Sequence, residues 1–394
     1  MSAKEPNDSF RPKIGLILFF TLIFLLNFTG RIIMAPLMPA MEQDLGFNHG
    51  QAGALFMALS LGYFFAVAGS GYLAAKVGRR WTIVLSACLV GLGLEAVGLS
   101  ESLSALRAAL ALLGLGAGLY LASAIAAITE MTSPRNWGKA LAIHELAPNL
   151  SLLAAPLISE FFLSLGSWRT APIVLGACSI GVGLVFSRRK TAGDGKGEAP
   201  SLALAGKLAR GRSFWVMMFL FSLGVGSTIG VFAMLPLYLT VEAGFSRPWT
   251  NTLLALSRLS TLVMPFFSGW LTDKIGPARA ITLILGVAGA ATIGLGLTSD
   301  GGLVLAIFLQ PAAAVCFFPA GFAALSFIGR PSERQAVISL AVPGAYLAGY
   351  GLLPLLIGRL GEAGSFAAGL VLAGLAIFSG ALAAPFLKLV PKEN

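Results

Sequence analysis

Two stretches decide how this chain is built: SGYLAAKVGRRWTIVL at residues 70–85 and SGWLTDKIGPARAITL at residues 268–283. Each sets a Gly, a Leu, a Lys and a second Gly at the same offsets, and the copies lie 198 residues apart. Each also follows one long apolar run and precedes another, so it reads as a tight polar turn between two hydrophobic segments. A repeat spaced at half of a 394-residue chain implies two related halves.

The surrounding composition says what the halves are made of. The chain is 57% hydrophobic and 11% charged, with mean hydropathy +0.85, where a soluble domain carries about 25% charged residues. Apolar runs long enough to cross a bilayer as helices follow one another at 14–36, 50–75, 81–99, 103–129, 140–165 and 170–186, then at 214–241, 250–272, 278–297, 303–328, 336–357 and 365–387. The expected fold is an all-α polytopic membrane protein, twelve transmembrane helices in two pseudo-symmetric six-helix bundles. The expected organisation is a cytoplasmic N-terminus 1–13, a bundle 14–186, a cytoplasmic linker 187–213, a bundle 214–387 and a cytoplasmic C-terminus 388–394. Within the Gly- and Ala-rich linker, residues 202–208 could form a short surface helix. The first residues lack the apolar core of a signal peptide, so both ends are expected inside, in a prokaryotic inner membrane.

A net charge of +10 suggests nucleic acid until its placement is read. Most of the 27 basic residues gather on the face that holds both chain ends, and only Arg107, Arg169, Arg247 and Arg359 fall on the other. The excess therefore reports orientation, and no nucleic-acid partner is expected. Cys88, Cys178 and Cys316 read as small buried hydrophobes. Two histidines and three scattered cysteines make no zinc or haem ligand set, so no metal and no cofactor is expected. No nucleophile motif or phosphate loop argues for an enzyme.

Two basic residues remain, Arg31 in LLNFTGRIIMAPLMP and Arg258 in LLALSRLSTLVMP. An arginine in hydrocarbon costs roughly 2.5–3.5 kcal/mol on insertion scales. With the first helix running to about Met41, each arginine sits ~15 Å from the outer end, beyond the reach of a snorkelling side chain. One per half, at similar depth and with no acid in either span, they read as an anion-binding pair; a structural role is the alternative. Arginine suits anion binding because its fork pairs bidentately with a carboxylate and stays charged. Asn27, Tyr120, Asn149, Gln310, Tyr346 and Tyr350 are further polar candidates for the substrate cavity. In GKALAIHELAPNLSLLAAP, residues 138–156, His144 and Glu145 enter the fifth span, and Asn149 follows Glu145 on one face. Either could carry a proton, with a hydrogen-bonded place in the gate as the alternative. Glu95 and Arg107 are placed to pair across the turn at Glu101, and Glu160 to face the boundary between halves.

The two turn motifs resemble the signature of the major facilitator superfamily, Gly-x-Leu-x-Asp-Arg/Lys-x-Gly-Arg-Arg/Lys. Gly71, Leu73, Lys76, Gly78, Arg79 and Arg80 match its first copy, and Gly269, Leu271, Asp273, Lys274 and Gly276 its second. Ala75 replaces the first acid. The resemblance covers nearly the whole chain and implies a secondary active transporter working by alternating access. It also implies a cytoplasmic gate at these loops, with Asp273 meeting the start of the fifth span and Arg79 and Arg80 held by an acid such as Glu130. Residues 27–39 are similar to the first span of the anion:cation symporter branch, with Gly30 where that branch has an Asp. Arg258 falls where monocarboxylate, oxalate/formate and nitrate transporters carry an arginine, while Ser60 stands where the nitrate group has its other one. The expected partners are a small organic anion of the carboxylate type, a proton as candidate coupling ion and the lipid bilayer, with the monomer as functional unit. The alternatives are an efflux antiporter for amphipathic or lipid-like compounds, which the lack of Gly-x-x-x-Gly-Pro in the fifth span disfavours, and a non-transporting sensor on the same fold.

Overall fold

The computed structural model of the chain describes residues 10–189, 195–196, 206–207, 210–325, 327 and 334–387. Most of the linker, including most of the expected helix at 202–208, and both chain ends lie outside the described residues. Among the described residues, eleven helices are long and apolar enough to span a membrane, and one bent pair taken as a single span makes twelve. In chain order they are α1 Arg11–Leu45, α2 His49–Val77, α3 Arg79–Gly98, α4 Leu103–Met131, α5 Pro134–Ser164 and α6 Thr170–Ser187. The second bundle holds α7 Arg212–Glu242, the pair Arg247–Leu262 and Met264–Ile275 as α8, α9 Pro277–Leu297, α10 Asp300–Leu325, α11 Leu340–Glu362 and α12 Phe366–Phe386.

The chain punctuates these spans with few residue types. Asn48 opens α2 with a full capping box, its side chain accepting from the Gln51 N–H while the Gln51 side chain takes the Asn48 N–H. Gly46, at φ 65, closes α1, which therefore runs to Leu45 and beyond the expected Met41. The repeated turns at Gly78 and Gly276 adopt matching conformations, φ 88 and φ 84, which an L side chain resists. The repeat in sequence is thus a repeat in backbone.

Proline sets the breaks inside spans. Its ring collides with the carbonyl four residues back: helices end there at Ile32 before Pro36 and at His144 before Pro148, and one residue earlier at Ala314 before Pro319. In α8, Pro265 follows a 3-10 stretch, Arg258–Leu262, and the helix bends by 40°. Glycine sets the close crossings. A Cβ on Gly114 of α4 would stand 2.0 Å from the Leu59 carbonyl oxygen of α2, so these helices touch backbone to backbone. Two π-helical segments, Gly226–Gly230 of α7 and Leu347–Leu352 of α11, also face each other, the Gly349 carbonyl lying 2.1 Å from where a Gly230 Cβ would be.

Extensive packing between the bundles occurs on one side of the molecule. There α2 lies along α11, α5 along the first segment of α8, and the end of α1 along α7. This distal face is opposite the one carrying Gly78 and Gly276. On the terminal face, Met264–Ile275 of α8 packs extensively only within its own bundle.

Candidate functional site

Arg31 lies in the last turn of the first helical segment of α1, 14 residues before Leu45 and so ~21 Å from the distal end. It is deeper than the sequence suggested and is 2% exposed. Three aromatic rings surround its guanidinium carbon, with centroids at 4.6 Å (Phe28), 5.1 Å (Tyr63) and 5.5 Å (Tyr346). Such faces hold a cation through their quadrupoles without consuming its in-plane N–H donors. Of those donors, Nη1 gives a hydrogen bond to the Tyr346 hydroxyl at 2.6 Å and Nε a long one to the Asn27 carbonyl at 3.4 Å. The Tyr63 hydroxyl is a further hydrogen-bonding neighbour, so five N–H donors meet at most three acceptors, and no carboxylate lies within ion-pair distance among the described residues. The Tyr350 hydroxyl donates to the Arg31 carbonyl at 3.1 Å, so two α11 tyrosines one turn apart clasp an α1 arginine across the bundles. Tyr63 of α2 stacks on Tyr346 with centroids 4.4 Å apart. The result is a buried cation with a partly filled fork.

Arg258 is also buried, at 1% exposure, but in different company. Its Nη1 reaches the Thr228 carbonyl at 3.5 Å, its guanidinium lies 4.6 Å from the Phe232 ring centroid, and its Nε has no partner. Arg31 and Arg258 share no hydrogen-bond or ring partner among the described residues, each being held by groups of its own surroundings. The 3-10 turn ahead of Pro265 holds Arg258 against α7 within its own bundle.

A second cluster lies toward the terminal face of the first bundle. Pro148 interrupts α5 at Glu145, leaving His144 fully buried and Glu145 exposed. The His144 ring stacks 4.7 Å from Phe24; its Nε2 is 3.1 Å from the Tyr120 hydroxyl and its Nδ1 3.2 Å from Glu145 Oε1. Protons can be counted along this chain. The Tyr120 O–H donates to the Phe20 carbonyl at 2.7 Å, so Tyr120 must accept from His144 Nε2–H. The Nδ1–carboxylate contact then needs one proton, held by imidazolium or by protonated Glu145. Glu145 also lies within electrostatic reach of both Tyr63 and Tyr120, and Arg31 of Tyr63, so Tyr63 stands between the two clusters.

Other expectations fare differently. The Gln310 NH₂ group is engaged: it donates to the Ser227 carbonyl at 2.7 Å and toward Thr292 at 3.4 Å, tying α10 to α7 and α9. Tyr120 is spent within its own bundle, as above. Asn27 donates to the Ala117 carbonyl, but its Oδ1 is buried without a partner. Asn149 is half-buried and makes no side-chain hydrogen bond among the described residues. Glu95 and Arg107 form no ion pair, and Cys178 is exposed where a buried cysteine was expected. Glu160 does reach the boundary, accepting from Arg247 Nε and Nη2, both at 3.2 Å, and from Asn251 at 2.8 Å.

At the terminal face Arg79 pairs with Glu130, and its backbone N–H donates to the Gly195 carbonyl at 3.1 Å, which docks a point of the linker on the loop. Arg80 bonds the Ser187 carbonyl and Lys274 lies 5.0 Å over Trp270. Gly71 is half-buried and Lys76 exposed. Asp273 is exposed and makes no ion pair among the described residues, so the expected brace from Asp273 to α5 is not formed here. Among the described residues no extensive packing joins the bundles on this face.

Sequence reasoning missed Phe28, Tyr63, Thr228 and Phe232. Tyr63 had a signal: with Phe56 it stands seven residues apart on one face of α2, as Tyr346 and Tyr350 stand four apart on α11. The rings of those two faces interlock.

The sequence profile of the Major Facilitator Superfamily matches residues 20–304. The probable sulfoacetate transporter of Cupriavidus necator is 24% identical over 314 residues, 73% of each chain. The 4-hydroxybenzoate transporter of Pseudomonas aeruginosa is 26% identical over 182 residues, covering 46% of this chain and 40% of that one. A crystal structure of a bacterial homolog of the human lysosomal transporter Spinster, inward-facing and occupied, superposes with TM-score 0.75 at 18% identity, covering 96% and 97% of the two chains.

Proposed function

This chain belongs to the Major Facilitator Superfamily and is a membrane transporter, and from that premise we propose that it carries a small organic anion bearing a carboxylate or sulfonate. The observation that carries the reading is Arg31: a fully buried guanidinium, ringed by aromatic faces, with part of its fork unfilled and no carboxylate against it. A desolvated cation of this kind is costly unless something neutralises it. An oxyanion placed on the free edge of the fork would do so while touching Arg31 from one bundle and Tyr346 from the other. Anion binding would then favour the conformer in which the bundles meet, which is the differential affinity that alternating access requires. The relatives named for sulfoacetate and 4-hydroxybenzoate support an anionic cargo. The basic terminal face is read as cytoplasmic, so this conformer is closed to the outside. Protonation of the His144–Glu145 pair supplies the coupling, reported toward the site through Tyr63.

The test is thermal unfolding of the purified protein against sulfoacetate, 4-hydroxybenzoate and their neutral amide or ester analogues. A ligand at 100 times its Kd stabilises by about 2.7 kcal/mol. The anions should stabilise the wild type, Arg31→Lys less well because it loses the bidentate edge, and Arg31→Gln not at all. Equal stabilisation by neutral analogues, or a full response in Arg31→Gln, would overturn the reading.

A further inference from the structure

A second place in the molecule is built of donors with little to accept them. At the distal seam a cavity of about 320 Å³ is lined by Asn48, Gly50 and Gln51 at the start of α2, Arg107 of α4, and Arg359 and Glu362 near the end of α11. That volume is at the lower end of small-ligand clefts, about 300–1,000 Å³. The Arg359 stem lies across the first turn of α2, its Cγ 3.6 Å from where a Gly50 Cβ would stand. Neither arginine has an ion pair or side-chain hydrogen bond among the described residues. The one carboxylate present is engaged, Glu362 Oε2 accepting the His49 backbone N–H at 3.0 Å. The capping box uses the side-chain oxygens of both Asn48 and Gln51, which leaves their NH₂ groups free to donate. The cavity therefore offers two guanidiniums, two amide donors and the positive end of a 29-residue helix.

We propose that this seam is a second anion site, outside the transport path, for a small oxyanion carrying two negative charges. Its chemistry is that of sulfate or of a phosphate group: several oxygens on one centre, able to meet two arginine forks at once. Arg107 belongs to the first bundle and Arg359 to the second. Both arginines are exposed and Glu362 offsets part of their charge; a dianion meets the remaining donors and ties each bundle to the same ligand. Occupancy therefore holds the distal face shut. The site stands apart from the Arg31 cluster and does not rest on the cargo reading.

The experiment is thermal unfolding of the full-length purified protein titrated with sodium sulfate at constant ionic strength, sodium chloride making up the balance. The salting effect of sulfate acts on every variant alike, so the readout is the saturable part. Wild type and Arg31→Gln should both show saturable stabilisation. Arg107→Gln and Arg359→Gln should each raise the sulfate midpoint about tenfold, near the loss of one charge-assisted contact. Arg107→Lys and Arg359→Lys, which keep the charge and lose the fork, should fall between. Dependence on both arginines places one ion on both bundles. Three results overturn the proposal: no saturable effect in the wild type, an effect that needs only one of the two arginines, or an effect lost in Arg31→Gln and kept in both seam variants.

Discussion

Removing Glu160 should unlatch the distal face by an amount that can be worked out. Its carboxylate receives two N–H groups of Arg247 at 3.2 Å and the Asn251 amide at 2.8 Å, all across the boundary between α5 and α8. The pair is partly in solvent, with side chains 23% exposed for Glu160 and 41% for Arg247. Screening therefore keeps the ion pair to about 0.5–1 kcal/mol, and the hydrogen bond from Asn251 to a charged acceptor adds about 1.5 kcal/mol. Glu160→Ala thus costs the closed conformer about 2 kcal/mol, a shift of about 30-fold toward the open one. Glu160→Gln, which can still accept from Asn251, should shift it by only about fivefold. Ser60 makes a suitable reporter: it is 0% exposed, its hydroxyl has no partner, and its Cβ lies 3.1 Å from where a Gly351 Cβ of α11 would stand. Ser60→Cys, in a background without Cys88, Cys178 and Cys316, should react with a membrane-impermeant maleimide in proportion to the open fraction. Labelling added from the distal side should rise in the order wild type, Glu160→Gln, Glu160→Ala. A Glu160→Ala rate equal to that of the wild type would show that the ion pair does not hold the face shut.

The remaining predictions concern one turn and one proton. Gly276→Ala meets no atom within 4 Å but must hold φ 84, so strain alone should lower stability by about 1–2 kcal/mol. Gly301→Ala, equally open but inside a helix, should leave the unfolding temperature unchanged or raise it; a scan showing both variants alike would refute the backbone argument. Glu145→Gln can donate an N–H to His144 Nδ1 and leaves no proton between the two side chains to release. Uptake into proteoliposomes should lose its dependence on a pH gradient while exchange persists, and an unaltered pH profile would exclude Glu145 as carrier.

What the sequence made legible follows from which forces act locally. Twelve apolar runs and a turn repeated at 198 residues are local signals, and the spans and the matched backbones of Gly78 and Gly276 follow from them. Arg31 stood out because no other charge is near it in the chain. Its surroundings did not, because Tyr63 and Tyr346 come from α2 and α11, and an apolar face reads the same whether it meets lipid or a guanidinium. Arg258 was legible as an anomaly and illegible as a position. Depth gave its level in the membrane, and the 3-10 turn before Pro265 sets its partners, Thr228 and Phe232. Gln310 looked like a cavity residue because an isolated amide in an apolar run has no visible partner; the Ser227 carbonyl it bonds is 83 residues away. The Asp273 brace fails for another reason, since a contact between bundles exists only in conformers that bring those faces together.

The facing π-turns of α7 and α11 have a mechanical consequence. A π-turn stores one residue more than an α-turn, and giving that residue up would swivel everything beyond it by about 100° and move it about 1.5 Å along the axis. One such store carries the Thr228 carbonyl that Arg258 reaches; the other carries Tyr350, which grips the Arg31 carbonyl. With the Gly349 carbonyl wedged against Gly226 and Gly230, neither helix can rewind alone without driving its backbone into the other. Each arginine is thus held by a residue of one of two turns whose backbones touch, so a rewinding of either turn would have to be accommodated by the other.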